Sequence, residues 1–115
     1  MTIKSTDGAK NTTIDAQGLD FGVLIHGIET VATFEGFMVE NYGRAGILAG
    51  SKSLAEEDPL EVHILNNIIK EPISQKNNNC IQVGYGTTGT IIGNKVSGAW
   101  LDDPNWSGLM AIPLW

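Results

Sequence analysis

Short apolar segments rich in Ile, Val and Thr recur along the 115-residue chain, separated by Gly, Asn and other polar residues. Four of them align around a polar kink, at residues 12–19, 32–39, 62–69 and 89–96. They are too short for ordinary helices, and β-branched residues favour strands. Gly and Asn tolerate the left-handed backbone of sharp turns. The pattern therefore predicts an all-β chain.

The apolar positions keep a constant spacing within the copies, which predicts four inward-facing columns. The first column holds Ile14, Phe34, Ile64 and Ile91, and the second holds Leu19, Val39, Ile69 and Val96. The third holds Val23, Ile47, Ile81 and Leu109, and the fourth holds Ile25, Ala49, Val83 and Ala111. The distance between copies varies, so strands of constant length alternate with loops of variable length. Asn67 and Asn94 share a further column with Phe37 and Gln17, which predicts an asparagine ladder of two rungs.

A repeat of this length without an amphipathic helix differs from helical solenoids and leucine-rich repeats. If each repeat forms one coil, strands of successive coils pair in parallel around a narrow core. Residues 46–49, 66–69 and 89–98 resemble repeats of the right-handed parallel β-helix, or pectate-lyase-like, superfamily. The resemblance covers most of residues 3–111. It implies a right-handed parallel β-helix, a solenoid of about four short coils, as one domain over residues 1–115.

The ends of this solenoid are predicted to be incompletely capped. Residues 2–5 fit a strand of an incomplete first coil with no capping helix before it, and residues 109–115 are mostly apolar. Either the chain is a fragment of a longer solenoid or another copy covers its ends. Apolar residues also alternate with the core columns and should face outward. We predict a homo-oligomer, with a dimer favoured, and the interface candidates are Met38, Leu65, Ile68, Ile92, Leu114 and Trp115.

Charge and composition narrow the range of partners. The formal net charge of −6 disfavours binding to nucleic acid and to anionic lipid surfaces. No apolar run is long enough for a membrane span, and the first residues lack the apolar run of a signal peptide, which leaves the compartment open. The single cysteine, Cys80, is predicted to be a buried apolar residue rather than a nucleophile.

Two predicted loops carry clustered carboxylates beside tryptophan. The candidate groove residues are Glu56, Glu57, Asp58, Asp102, Asp103 and Trp106. They could bind carbohydrate or Ca²⁺, or supply an acid and a base for glycoside cleavage, or they could form solvated acidic loops. No spacing matches a calcium-binding loop, so we predict no metal, no cofactor and no catalytic residue, with Ca²⁺ as the alternative.

The resemblance by itself implies no single activity, because the superfamily includes lyases, hydrolases, epimerases and structural repeats. Its polysaccharide lyases use a basic residue together with Ca²⁺, and Arg44 with Glu40 is the pair that would match here. The Trp-Ile-Asp-His type signature of pectate lyases is missing. We therefore expect a non-catalytic, self-associating structural or surface-scaffold domain. The alternative is a carbohydrate-binding or polysaccharide-cleaving protein, either a lyase or a glycoside hydrolase.

Overall fold

A computed structural model describes residues 1–26, 31–50, 60–70, 72, 79–84 and 87–97. These residues form eleven strands and no helix, and so no helix that could cross a membrane. The first six strands are β1 Thr2–Lys4, β2 Thr13–Asp15, β3 Phe21–His26, β4 Val31–Glu35, β5 Met38–Glu40 and β6 Ala45–Gly50. The other five are β7 Glu61–Leu65, β8 Ile68–Ile69, β9 Asn79–Gly84, β10 Thr88–Ile92 and β11 Lys95–Val96.

The strands form three parallel sheets, and each of the first eight strands pairs with the strand three places later in the chain. The first sheet has the order β1-β4-β7-β10, the second β2-β5-β8-β11 and the third β3-β6-β9. We call three successive strands a repeat. The first repeat is β1–β3, the second β4–β6 and the third β7–β9, and β10 and β11 begin the fourth. The prediction of an all-β chain with parallel pairing is confirmed.

Most of the predicted columns are confirmed by the strand register. The register aligns Phe34, Ile64 and Ile91 in the first sheet and Val39, Ile69 and Val96 in the second. In the third sheet it aligns Val23 with Ile47 and Ile81, and Ile25 with Ala49 and Val83. The middle members of these columns are buried and form one hydrophobic core. Leu109 and Ala111 lie outside the described residues.

The predicted alignment of the first copy is wrong. Ile14 pairs with Val39 in the second sheet, and Ile3 pairs with Phe34 in the first. Leu19 does not join the core and is 69% exposed. In the later repeats, about two residues connect the strand of the first sheet to the strand of the second sheet. In the first repeat this connection is longer and consists of residues 5–12. Because of this longer connection, Gln17 also falls outside the column of Phe37.

The turns between the first and second sheets need a left-handed residue. Gly36, Asn66 and Gly93 occupy the same place in successive repeats, with φ values of 85°, 54° and 72°. Glycine adopts this conformation without steric cost, and asparagine tolerates it better than most residues. The Gly and Asn between apolar runs therefore set the corners of the fold.

The predicted asparagine ladder is confirmed with two rungs. The Asn67 side chain accepts a hydrogen bond from the Phe37 N–H at 3.0 Å and donates to the Phe34 carbonyl at 3.2 Å. It also donates to Asn94 Oδ1 at 3.1 Å, and Asn94 Nδ2 donates to the Ile64 carbonyl at 2.8 Å. Each asparagine thus bonds to main-chain groups of the preceding repeat. The ladder ties three repeats together at one corner.

Candidate functional site

Exposed apolar side chains concentrate on the first repeat. Six large hydrophobic residues are exposed in the described part of the chain, and four of them belong to residues 1–26. These four are Met1, Ile3, Leu19 and Leu24, and the other two are Val31 and Ile92. We use the name first-repeat face for these four residues taken together; Ile3 lies in an inward column of the first sheet, whereas Leu24 alternates with core positions of the third sheet. The first-repeat face is the largest group of exposed apolar residues in the described segments.

The exposure of Ile3 follows from its place in the sheet. Ile3 occupies the inward column above Phe34, which is only 4% exposed, yet Ile3 itself is 46% exposed. Among the described strands, β1 has β4 as its one neighbour, so the other edge of β1 is open. A core column therefore reaches solvent at this end of the first sheet. Open strand edges and open apolar columns are features that favour association.

The four described interface candidates form a second, smaller apolar surface, the corner patch. Leu65 pairs in register with Ile92, and Met38 pairs with Ile68, as the alternation of side chains predicted. Ile92 is 62% exposed, whereas the other three are half-buried. The turn at Asn66 separates the two pairs. Leu114 and Trp115 lie outside the described residues.

A polar depression lies at the end of the second sheet. Glu40, Asn41, Lys70 and Ser97 line it, and its volume is about 390 Å³. Lys70 Nζ lies 4.0 Å from Glu40 Oε2, so a cation and an anion face each other. Such a surface offers hydrogen-bond donors and acceptors to a polar ligand. Sequence reasoning did not identify it, because these residues meet only when the strands of different repeats pair.

Asp15 lies in the same row of the second sheet, beside Glu40. Its carboxylate accepts a hydrogen bond from Asn41 Nδ2 at 3.0 Å and another from the Gln17 N–H at 2.8 Å. Both bonds favour the ionised form, and that of Asn41 has the larger effect, so the pKa of Asp15 lies below its ordinary value. Asp15 therefore stays an anion through the neutral and mildly acidic range.

Tyr42 and Cys80 lie buried in the core. Tyr42 is fully enclosed and donates a hydrogen bond from its hydroxyl to the Lys70 carbonyl at 2.7 Å. The same hydroxyl lies 3.6 Å from Cys80 Sγ. The prediction that Cys80 is a buried residue is confirmed. These contacts give both side chains a structural role.

The arginine pair suggested by the lyase resemblance is not formed. Glu40 faces Lys70, and Arg44 is an exposed turn residue with no ion pair to Glu40 in the described part of the chain. His63 faces outward in line with Thr33 and Thr90, as predicted, and its Nε2 lies 2.7 Å from Glu61 Oε2. The described segments contain no group of three potential metal ligands.

The predicted groove of acidic loops falls outside the described residues. This applies to Glu56, Glu57 and Asp58 in the first loop and to Asp102, Asp103 and Trp106 in the second. The carbohydrate and Ca²⁺ hypotheses for these residues therefore stay predictions.

Comparison of the chain with protein-family models, curated proteins and solved structures finds no match. The pectate-lyase-like resemblance therefore stays a prediction as well.

Proposed function

We propose that this chain is a right-handed parallel β-helix domain and that it acts as a non-catalytic structural module by binding a second copy of itself. The winding is supported by the pairing of each of the first eight strands with the strand three places later, in three parallel sheets. The right-handed sense is supported by the strong preference for right-handed connections between parallel strands of one sheet. A structural or surface-scaffold role fits a stack of parallel strands around one apolar core.

The observation that carries self-association is the first-repeat face. Burying one large apolar side chain contributes about 1.5–3 kcal/mol. Its four residues are each about half exposed or more, so covering them in one copy would contribute about 3–6 kcal/mol. A domain of ordinary stability has only about 5–15 kcal/mol in total. Exposure of these side chains therefore costs a substantial fraction of that total, and contact with a second copy would recover the part that the contact covers.

The experiment is sedimentation velocity over a wide range of protein concentrations. We expect the mass to rise from 12.3 kDa at high dilution to twice that value at tens of micromolar. Salt should weaken the association little, because burial of apolar surface is not screened by ions. A constant mass of 12.3 kDa at all concentrations would contradict the proposal.

Carbohydrate binding is the second candidate function, and the polar depression favours it. A carboxylate, an ammonium, an amide and a hydroxyl surround about 390 Å³, which suits a ligand rich in hydroxyl groups. A glycan array with and without Ca²⁺ tests binding, and incubation with polyuronate and neutral polysaccharides tests cleavage. Binding that is lost in Lys70→Ala and kept in the matched control Lys95→Ala would support this candidate. No binding and no cleavage would remove it.

A further inference from the structure

We propose that the peptide bond between Asp7 and Gly8 is a site of self-modification, at which the main chain rearranges to isoaspartate through a cyclic succinimide. This is the one aspartate–glycine pair in the sequence, and the sequence contains no asparagine–glycine pair. The inference goes beyond self-association and does not depend on it. It rests on residues 5–20, all of which the structure describes, and on their contacts.

The rearrangement needs no co-reactant other than water. The Gly8 main-chain nitrogen attacks Cγ of the neutral Asp7 carboxyl. The N–Cγ bond forms, the bond from Cγ to its hydroxyl breaks, and the hydroxyl leaves as water together with the amide proton. Water then adds to one of the two ring carbonyls. Addition at Cγ restores aspartate, whereas addition at the main-chain carbonyl breaks its bond to nitrogen and leaves the chain joined through Cγ. No atom is oxidised or reduced.

Gly8 gives the ring room to close. A side chain on the residue after an aspartate hinders the approach of that residue's nitrogen, and glycine has no side chain. Gly8 is exposed, and no atom outside the adjacent residues lies within 4 Å of the place that a Cβ would occupy. The succinimide can therefore form without displacing a neighbouring strand.

The groups that must move are held only by surface contacts. In the described part of the chain, the Asp7 carboxylate is exposed and is not engaged in a hydrogen bond or an ion pair. The Gly8 N–H donates to Ser5 Oγ at 3.2 Å, and the Asp7 carbonyl accepts from Asn11 Nδ2 at 3.0 Å, both at exposed positions. Exposed hydrogen bonds open locally at a low free energy. Local motion can therefore bring the Gly8 nitrogen to Cγ while the strands stay paired.

Asp15 lacks this combination. Its carboxylate accepts hydrogen bonds from Asn41 Nδ2 and from the Gln17 N–H, and both bonds favour the ionised form. An ionised carboxylate is a poor electrophile. The residue that would supply the nitrogen is Ala16, which has a side chain and is only 5% exposed.

Asp20 is protected in a different way. The next residue is Phe21, whose large side chain hinders ring closure and which begins β3. The Asp20 carbonyl also accepts two main-chain hydrogen bonds, from the Arg44 N–H at 2.8 Å and from the Ala45 N–H at 3.0 Å. The main chain at Asp20 is therefore tied to the next repeat, whereas the main chain at Asp7 is not.

The place of Asp7 in the fold allows the product to be accommodated. Isoaspartate adds one carbon atom to the main chain. Asp7 lies in the connection between β1 and β2, residues 5–12, which is longer than the equivalent turns of the later repeats. Exposed connections tolerate added length better than paired strands do. The extra atom therefore falls outside the strand ladders.

The decisive experiment is incubation of the folded chain in mildly acidic buffer made with heavy-oxygen water, followed by peptide mass spectrometry. Each opening of the ring places one heavy oxygen on residue 7, whether aspartate or isoaspartate results. We expect label on Asp7 and none on Asp15 or Asp20. Fragment ions specific for isoaspartate, and methylation by an isoaspartyl carboxyl methyltransferase with labelled S-adenosylmethionine, should show that part of Asp7 has rearranged.

Two variants and one control complete the test. Asp7→Glu keeps the negative charge but would have to close a larger, less favourable ring, so label and methylation at this position should be lost. Gly8→Ala adds a hindering Cβ and should slow both. Circular dichroism shows that each variant is folded, and the chain unfolded in urea shows that the assay detects ring opening.

The outcomes decide the proposal. Label and isoaspartate at residue 7 of the folded chain, both lost in Asp7→Glu, support it. A folded chain without label at Asp7 contradicts it, because the turn would then keep the Gly8 nitrogen away from Cγ. Equal labelling of Asp7, Asp15 and Asp20 contradicts it as well, because the contacts of the three residues would then make no difference.

Discussion

Replacing Asn67 with alanine removes the central rung of the asparagine ladder. Its side chain is 1% exposed and makes three hydrogen bonds, to the Phe37 N–H, the Phe34 carbonyl and Asn94 Oδ1. A buried donor left without an acceptor costs about 1–3 kcal/mol, and each further bond contributes about 0.5–1.5 kcal/mol. Asn94 Oδ1 keeps one partner, the Asn67 main-chain N–H at 2.9 Å. We therefore expect Asn67→Ala to lower the free energy of unfolding by about 2–4 kcal/mol.

Urea unfolding followed by circular dichroism measures this loss, at one protein concentration because association stabilises the folded state. With an m value of about 1–3 kcal/mol/M, a loss of about 2–4 kcal/mol should lower the midpoint by about 0.7–4 M. Asn11→Ala is the matched control. Asn11 is exposed and donates one side-chain bond, to the Asp7 carbonyl at 3.0 Å, so its loss should cost less than about 0.5 kcal/mol. Equal midpoints for the two variants would refute the structural role of the ladder.

Three other predictions follow from the described residues. Gly46→Ala would place a methyl group 2.5 Å from a core isoleucine carbon, so we expect the free energy of unfolding, measured with urea, to fall by about 1–3 kcal/mol. Gly8→Ala is the control: Gly8 has a φ of 83° and no neighbour within 4 Å, so this variant measures the cost of backbone strain alone. Tyr42→Phe removes the buried hydroxyl that bonds to the Lys70 carbonyl and lies near Cys80 Sγ, and we expect it to lower the free energy of unfolding by about 0.5–1.5 kcal/mol. An unchanged melting temperature would contradict this. Asn41→Gly should raise the pKa of Asp15 toward its ordinary value in a carboxyl NMR titration. Because the folded pKa is lowered, any stability that Asp15 provides is present above its unfolded pKa of about 3.9 and is lost as the pH falls through the folded value.

The sequence predicted the strands and the inward columns of the second and third repeats well. Positions such as Ile47 and Ile64 are fixed by the alternation of apolar and polar residues along short strands, which depends on local sequence. The first repeat was misaligned because Ile14 and Leu19 have the same five-residue spacing as Phe34 and Val39. Sequence spacing does not reveal how long a connection is, and strand pairing decides which strand a residue joins.

The candidate site was less accessible to sequence reasoning. An incomplete first coil is predicted from residues 2–5, but the exposure of Leu19 and Leu24 depends on how the strands of the three sheets pair. Tyr42 gave no clear signal, because a tyrosine in a turn is buried only when its hydroxyl finds a partner, here the Lys70 carbonyl. Contacts between repeats are long-range, and local pattern does not encode them.

The pairing of each of the first eight strands with the third strand after it has a consequence for how the chain folds. Paired residues are 24 to 34 positions apart, as with Leu24 and Leu48 or Leu48 and Gln82. No described strand pairs with its neighbour in sequence, so the described strands offer no hairpin that could form early and guide the rest. The chain must lose the entropy of closing a long loop before the first ladder bond forms. Folding should therefore be slow and begin when two adjacent repeats first come together, after which each further repeat adds to an existing template.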